Sequence, residues 1–568
     1  MAESPTPGPS APKRLRIKNP KVLTEDELRA LAYLSSSSDE EPFPDSGSDW
    51  SGASGISDER QDAMSTASQS DMELLDDVAN EQQLVWIEYP PNLRQIEFTG
   101  KQQLNVPIPG EGKPIDFFLL LADDEFFEIL VQQTNIYAEH VLLNESSGPN
   151  SRISRWKPID KEEMTMFLGL TIFMGILQLP RLRDYWRTNR FLNLPIRKYM
   201  SRDRYLIILR CLHFVENSQD LKSGRLYKVR PLLNFFNNKM ESVYSPGKNL
   251  SIDESMLLWR GRLAFRQYIK NKKHKYGIKF YLLTESNGIV LNMQIYTGVL
   301  DDLGGKGHAA NVVLHLMRNY WNKGYSLYMD NYYNSVTLAR QLLEKNTYCT
   351  GTLRAGRKET PEDVSKAKLK PGESVHRYGG SVCVGKWKDK REVLYITTEH
   401  ENTMEEALSR FGTNKIKPAP IMQYNKYMSG IDLQDQLQSY YPSHRKTIRW
   451  YKKVGIHIIE TMLYNSYMLY EKYSKPKMSF LEYRESVVHA MVPEIKAKEK
   501  PGPSTENPGF QHGPSKLEKG TGDRRLRKKC RWCSKRGVRK DTSFCCKSCP
   551  ELPGLCLDPC FKEYHNNL

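Results

Sequence analysis

Apolar positions change their spacing twice along this chain, and the changes mark its parts. From about residue 115 to 248 they recur every three or four residues, the period of helices with one buried face. Phe117, Phe118, Leu119, Leu120 and Leu121 precede a helical pattern over residues 125–131. Residues 161–179 form a long apolar helix, and Ser201 caps another that buries Leu206, Ile207, Leu209, Leu212 and Phe214. From Leu250 the period shortens to two. Residues 250–256 alternate, and residues 279–284 and 289–296 flank Glu285-Ser286-Asn287-Gly288, where Asn-Gly predicts a hairpin. A helix over residues 311–320 follows, then the alternating strand Ser326-Leu327-Tyr328-Met329, a helix over 335–343 and a strand over 348–353. Three antiparallel strands followed by α/β units predict a mixed sheet with helices on its faces. Lys-rich residues 357–418, with short strands over 381–387 and 393–398, read as an insertion. A helix then starts near Met428, and a long amphipathic helix over 454–473 returns to the first helical block.

Composition adds the ends. Residues 30–90 hold fourteen Asp and Glu against one basic residue, Arg60, a net of −13. The whole chain of 568 residues carries +16, so the remainder carries +29. So basic a remainder points to a polyanion, nucleic acid before membrane surface. The acidic, Ser- and Pro-rich start predicts a disordered segment whose serines at 35–38 beside Asp39, Glu40 and Glu41 suit an acid-directed kinase. Lys13-Arg14-Leu15-Arg16-Ile17-Lys18 reads equally as a nuclear-import signal or a solvated tail. The polar N-terminus does not read as a signal peptide. The longest apolar stretch, 164–179, is short for a bilayer and begins after Glu162 and Glu163, so no membrane partner is expected.

Three carboxylate positions stand out. Asp253 follows the first strand, Asp330 ends the fourth, and Asp432 opens a later helix with Asp435 three residues on, on the same face. If the first and fourth strands are neighbours, Asp253 and Asp330 stand side by side, and a packed helix can present Asp432. Carboxylates that close repel, and divalent cations resolve the conflict. Two Mg²⁺ ions roughly 4 Å apart are a known device for in-line phosphoryl transfer. Oxygen-only ligands suit Mg²⁺ or Mn²⁺. Spacing alone is equally compatible with three unrelated caps and turns. Two basic sets lie nearby: Arg354, Arg357 and Lys358 after the last sheet strand, and Arg445, Lys446, Arg449, Lys452 and Lys453 around Trp450. They read as phosphate contacts and a base-stacking ring, or as a solvated helix face with a core Trp.

Seven of the ten cysteines lie between Cys530 and Cys560. Cys530-x₂-Cys533, Cys545-Cys546-x₂-Cys549, Cys556-x₃-Cys560 and His565 offer ligands for one or two tetrahedral Zn²⁺ sites. Cys545 stands outside the CxxC pair that Cys546 makes with Cys549, and without it only seven ligands remain. Such clustering suits metal binding in a reducing compartment better than a disulfide framework.

Ser251-Ile252-Asp253-Glu254-Ser255 with Arg260-Gly261-Arg262, Lys275-Tyr276-Gly277-Ile278-Lys279, Tyr328-Met329-Asp330-Asn331-Tyr332-Tyr333-Asn334-Ser335, Cys349-Thr350-Gly351-Thr352 and Tyr424-Asn425-Lys426-Tyr427-Met428-Ser429-Gly430-Ile431-Asp432-Leu433-Gln434-Asp435-Gln436 resemble the piggyBac-type transposases, the vertebrate piggyBac-derived proteins above all. The resemblance runs from about Phe117 to the end. It implies an α/β ribonuclease-H-like catalytic domain interrupted by an insertion domain, a split all-α dimerisation and DNA-binding domain, and a C-terminal cross-brace zinc domain. The resulting boundaries are a disordered acidic region over 1–101, helical domain 102–248 and 442–495, catalytic domain 249–356 and 419–441, insertion 357–418, linker 496–528 and zinc domain 529–568. The family's catalytic aspartates fall on Asp253, Asp330 and Asp432, and its additional aspartate on Asp435. The resemblance implies a nuclear, homodimeric, Mg²⁺-dependent DNA transposase. It would bind terminal inverted repeats, pass through hairpin-ended intermediates and insert at TTAA. A domesticated DNA-binding protein without transposition, or a zinc-domain chromatin adaptor, is the alternative expectation.

Overall fold

A nine-stranded mixed sheet organises the larger of two compact units, residues up to 493; the smaller spans 494–568. The computed structural model describes residues 84–89, 93–108, 110–144, 151–217, 224–269, 275–298, 303–408, 414–447, 449–494, 512–518 and 526–567. The basic cluster at 13–18 and the acidic run at 35–41 lie outside the described residues.

The strands are β1 (Asn249–Leu258), β2 (Gln267–Tyr268), β3 (Tyr276–Glu285), β4 (Val290–Ile295), β5 (Ser326–Met329), β6 (Tyr348–Thr352), β7 (Ser374–Gly379), β8 (Val382–Lys388) and β9 (Glu392–Thr397). Their order is β2-β3-β1-β5-β6-β9-β8-β7, with β4 also paired to β3. The β3–β4 hairpin turns at Asn287-Gly288 as its residues predict, with Gly288 at φ +94°. The decisive pairing is β1 with β5. It is parallel, aligning Asn249 with Ser326 and Ile252 with Met329. β6 is parallel to β5 in turn.

The strands of the stretch read as an insertion join the main sheet: β9 pairs antiparallel with β6 and extends it. β6 would otherwise end the sheet with a row of unpaired backbone groups, and β9 removes that edge. Only β10 (Met404–Leu408) and β11 (Asn414–Pro418) make a separate ribbon.

Helices α1 (Pro114–Leu121), α2 (Asp124–Asn144), α3 (Lys161–Ile176), α4 (Arg202–Cys211) and α5 (Arg230–Val243) make one helical block, with Ser201 capping α4 as expected. Helices α6 (His308–Leu316) and α7 (Val336–Glu344) connect the sheet strands. Then come α8 (Ala419–Tyr427), α9 (Gly430–Tyr440), α10 (Trp450–Tyr473) and α11 (Phe480–Met491). α10 packs on α1 and α5, and α11 on α3 and α1, so the helices from the two ends of this unit share one core. Two asparagines fasten that core to the sheet. Asn465 of α10 donates to Val290 O at 2.7 Å and accepts from Val290 N at 3.0 Å. Asn237 of α5 makes the same pair with Met293, at 3.0 and 2.9 Å. Each amide gives an exposed strand backbone the partner a neighbouring strand would give.

Residues 84–89 and 93–101, inside the stretch expected to be disordered, are held by specific contacts. Ile87 bridges Tyr378, Leu93 is buried against Tyr378 and Cys383, and Arg94 donates to Leu343 O at 2.8 Å. Trp86 and Leu84 lie over Gly379.

A buried ion cluster holds the α9–α10 junction. Glu460 accepts from Ser443 N at 2.6 Å, lies 3.2 Å from His444 Nδ1, and faces Arg484 Nη2 at 3.6 Å. Burial alone would push its carboxyl up; His444, Arg484 and the Ser443 amide outweigh burial and hold it down at about 2. A depressed carboxyl contributes stability above its unfolded value that is lost as pH falls through its folded value. Glu460→Gln is therefore expected to lower the thermal midpoint at neutral pH. The deficit against wild type should shrink as pH falls from about 4.5 to about 2, followed by circular dichroism melts.

Candidate functional site

The β1–β5 register puts Asp253 and Asp330 one residue beyond the aligned Ile252 and Met329, on neighbouring strands. The residues after Asp330 build a rigid corner. Asp330 Oδ1 accepts from Tyr332 N at 2.8 Å. Asn334 Nδ2 donates to Met329 O and to Thr352 O, both at 2.9 Å, tying the end of β5 to that of β6. Ser335 caps α7 by accepting from Leu338 N at 3.1 Å. Gly351 is required there: a Cβ would lie 1.8 Å from Met329 O.

Helix α9 supplies the third position. It packs on β1 and β3, and its first residue, Gly430, lies against the end of β3, where a Cβ would meet Glu285 O at 2.3 Å. Asp432 is exposed on the first turn of this helix. Asp435, one turn on, accepts from Ser255 Oγ of β1 at 2.5 Å, which fixes the helix on the strand. Tyr424 of α8 lies within electrostatic reach of all three. Burial pushes its phenol up to about 12; a hydrogen bond with Thr352 opposes this, and the charges of Asp330, Asp253 and Asp432 all add to it.

Asp330 itself is held above the ordinary aspartate range, first by burial. The Tyr332 amide opposes that shift, the neighbouring Glu254 carboxylate adds to it, and Arg354 and Lys279 oppose it. Lys279 is a residue the sequence did not single out. It is buried on β3, its ammonium 4.6 Å from the ring centroids of both Tyr281 and Tyr332. Glu254 and Tyr424 had no role assigned either, although both, like Lys279, stand inside the stretches that carry the family resemblance. Burial is the first cause of the raised Asp330, and hard oxygen donors such as these carboxylates are the ligand type that Mg²⁺ takes.

The predicted basic residues divide. Arg354 Nε donates to Asn331 Oδ1 at 3.2 Å and Arg357 Nη2 to Tyr332 O at 2.5 Å, so both stand on the Asp330 corner, with Lys358 exposed beside them. Lys446 is exposed and Arg449 half-buried. Arg445, Lys452 and Lys453 do not fit a DNA-facing row. Arg445 donates to Leu179 O at 3.1 Å, to Met174 O at 2.5 Å and to the Tyr185 hydroxyl, closing the C-terminus of α3. Lys452 is buried and donates to Leu209 O at 2.9 Å and to Arg210 O. Burial holds the Lys453 ammonium down at about 8. Trp450 meets Phe265 edge-on at 5.2 Å and packs on the core. The reason is periodicity: the run of cations enters α10, a helix surrounded by protein along most of its length.

In the smaller unit two ligand sets form. Cys530, Cys533, Cys556 and Cys560 make one; His512, Cys546, Cys549 and His565 make the other, each with ligand atoms within 4.8 Å of one another. Contacts of 3.4 Å between Cys533 and Cys560, and of 3.3–3.5 Å among His512, Cys546, Cys549 and His565, approach the roughly 3.5–3.8 Å edges of a zinc tetrahedron. His565 Nδ1 bonds Phe561 O at 2.7 Å, which leaves Nε2 for a metal. Along the chain the two sets interleave. Cys545 belongs to neither. It sits on a strand, Phe544–Cys546, where its backbone faces Ser515, and its neighbour Cys546 turns to the ligand side. The eighth ligand is His512, inside the stretch read as linker, so this unit begins well before residue 529. The ligand deficit left without Cys545 was the clue to it.

A family model described as Transposase IS4 matches residues 113–467, more than half of the chain. The chain belongs to the piggyBac-type transposases. A DDE_Tnp_1-like zinc finger model matches residues 511–566, which agrees with the place of His512. Human PiggyBac transposable element-derived protein 3 is 26% identical over 525 residues, covering 84% of each chain. Human PiggyBac transposable element-derived protein 5 is 23% identical over 407 residues, 68% of this chain and 76% of its own. The fold matches a cryo-EM structure of a piggyBac transposase synaptic complex with hairpin DNA at TM-score 0.60 and 23% identity, over 81% of this chain and all of that one. The family is one of DNA-binding transposases, and this member carries the zinc finger as well. Among the described residues no helix is long and apolar enough to cross a membrane.

Metal analysis of purified protein is expected to find two zinc ions per chain in wild type and in Cys545→Ser, and fewer in His512→Ala. Arg445→Ala should cost about 2–4 kcal/mol of stability, since it strands carbonyls at the end of α3, whereas Lys446→Ala should stay within about 0.5 kcal/mol. Denaturant melts compare the two.

Proposed function

We propose that this chain cuts and joins DNA strands as a cut-and-paste transposase, with Asp253, Asp330 and Asp432 as its catalytic carboxylates. The observation that carries this reading is the parallel register that sets Asp253 beside Asp330, with α9 fixed on β1 and carrying Asp432 on its first turn. Asp253, Asp330, Asp432 and Asp435 would hold two Mg²⁺ ions, with Mn²⁺ as a substitute. Bound there, such ions activate the attacking oxygen and stabilise the leaving one.

The chain's own groups then have separate tasks. The Tyr332 amide fixes one oxygen of Asp330 and so the direction of its other lone pairs. Ser255 sets Asp435, and through it the rotation of α9. Arg354, Arg357 and Lys358 face the backbone phosphates beside the reacting one, and Lys446 and Arg449 extend that track. Tyr424, neutral at physiological pH like any tyrosine and held further so by its raised phenol, acts there as a hydrogen-bond group without adding charge. The zinc unit, with Arg527, Lys528, Lys529 and Arg531 around its first ligands, binds terminal inverted repeats. A homodimer in the nucleus, hairpin-ended intermediates and insertion at TTAA complete the proposal. The solved relative holds hairpin DNA, which supports the hairpin-ended intermediates.

A second reading has its own support: the curated human relatives are named transposable element-derived proteins. In that reading the chain binds DNA without transposing it. Retention of all three aspartates favours the first. Asp330→Asn should abolish Mg²⁺-dependent cleavage of a terminal-repeat substrate, by at least about 10³-fold, while changing repeat binding less than about twofold. A gel-based cleavage assay beside an anisotropy titration tests this. Repeat binding by wild type with no cleavage would establish the second reading.

A further inference from the structure

We propose that an open groove beside the carboxylates, formed by the β8–β9 hairpin and α8, holds an unpaired nucleotide of the DNA strand that leaves the site. This rests on the DNA-processing reading above. The groove has a volume of about 480 Å³, and among its lining residues are Thr352, Trp387, Lys390, Arg391, Lys417 and Tyr424. A space of that size takes a ligand of nucleotide dimensions and is far too small for a duplex.

Three observations point to this occupant. The first is position. Tyr424 lines the groove and also feels Asp253, Asp330 and Asp432. Thr352, also on its wall, ends the strand that Asn334 ties to the Asp330 corner. The groove therefore lies beside the Asp330 corner. The second is charge. Lys390 and Arg391 are exposed at the hairpin tip and Lys417 faces them from β11. The acid in the lining, Asp389, is paired with Lys415 at 3.2 Å. The net charge of the rim is positive, matching a sugar–phosphate backbone. The third is the wall. The half-buried Tyr424 ring stands among these cations, and Trp387, buried against Tyr395 and Ile421, backs the wall. Cations along a groove with aromatic faces are the recurrent means of holding single strands, because every base has a flat apolar face.

The test uses full-length protein without divalent cation, so that no strand is cut. The probes are one labelled duplex ending blunt and the same duplex with an unpaired tail of about four nucleotides. Wild type should bind the tailed duplex at least about fivefold more tightly. The double variant Lys390→Ala, Arg391→Ala, altered only at exposed positions, should bind both duplexes alike and keep the blunt-end affinity of wild type. Its slope of log affinity against log salt on the tailed duplex should fall by roughly 1.4. Equal binding of the two probes by wild type would overturn the groove while leaving the DNA reading intact. So would a double variant that keeps the tail preference. Binding of neither probe would overturn both.

Discussion

Everything at the candidate active site hangs on one parallel strand pairing. β1 and β5 are 67 residues apart between their ends, yet their register brings Asp253 and Asp330 to the same height. A slip of one residue would turn every side chain of β5 to the opposite face and carry Asp330 away from its neighbour. The register is protected from both sides. Leu327 and Met329 are buried, and Asn334 with Gly351 locks the corner to β6. Helix α9 then has one way to approach, with glycine at the contact and Asp435 bonded across to β1.

Much of this was legible in the chain. The Asn287-Gly288 turn, the alternating strands and the aspartate after Met329 are local features, written in neighbouring residues. What escaped was set by distant parts. The strands expected at 381–387 and 393–398 gave no sign of their partner, because nothing within them shows that β9 would cap the open edge of β6. Arg445 and Lys452 read as DNA contacts because charge usually means solvent; only the packing of α3 and α4 around them shows that their donors are spent on carbonyls. His512 escaped because it lies in a Pro- and Gly-rich stretch, and its role depends on a strand pairing with residues 544–546.

The electrostatic pattern around the carboxylates is graded. Asp432 is exposed and Asp330 is not, so the cluster combines a solvated member with one whose charge the protein resists. Lys279 tempers that resistance from between two tyrosine rings, which hold the cation by its attraction to their faces and not by a direct ion pair. Such a cation lowers the mutual repulsion of the acids without occupying a ligand position.

The asparagine pairs on β4 carry a wider consequence. A strand whose partner is another element's side-chain amides has a covered edge only while that element is in place. Removing the C-terminal helices, by truncation or by a nonsense mutation after residue 441, would take Asn465 away and leave the backbone of Val290 unpaired beside the uncovered Val290 and Leu291, while Asn237 of α5 still holds Met293. That is the combination from which chains recruit one another into aggregates. Shortened products of this gene would accordingly collect as insoluble material and not persist as a free catalytic domain.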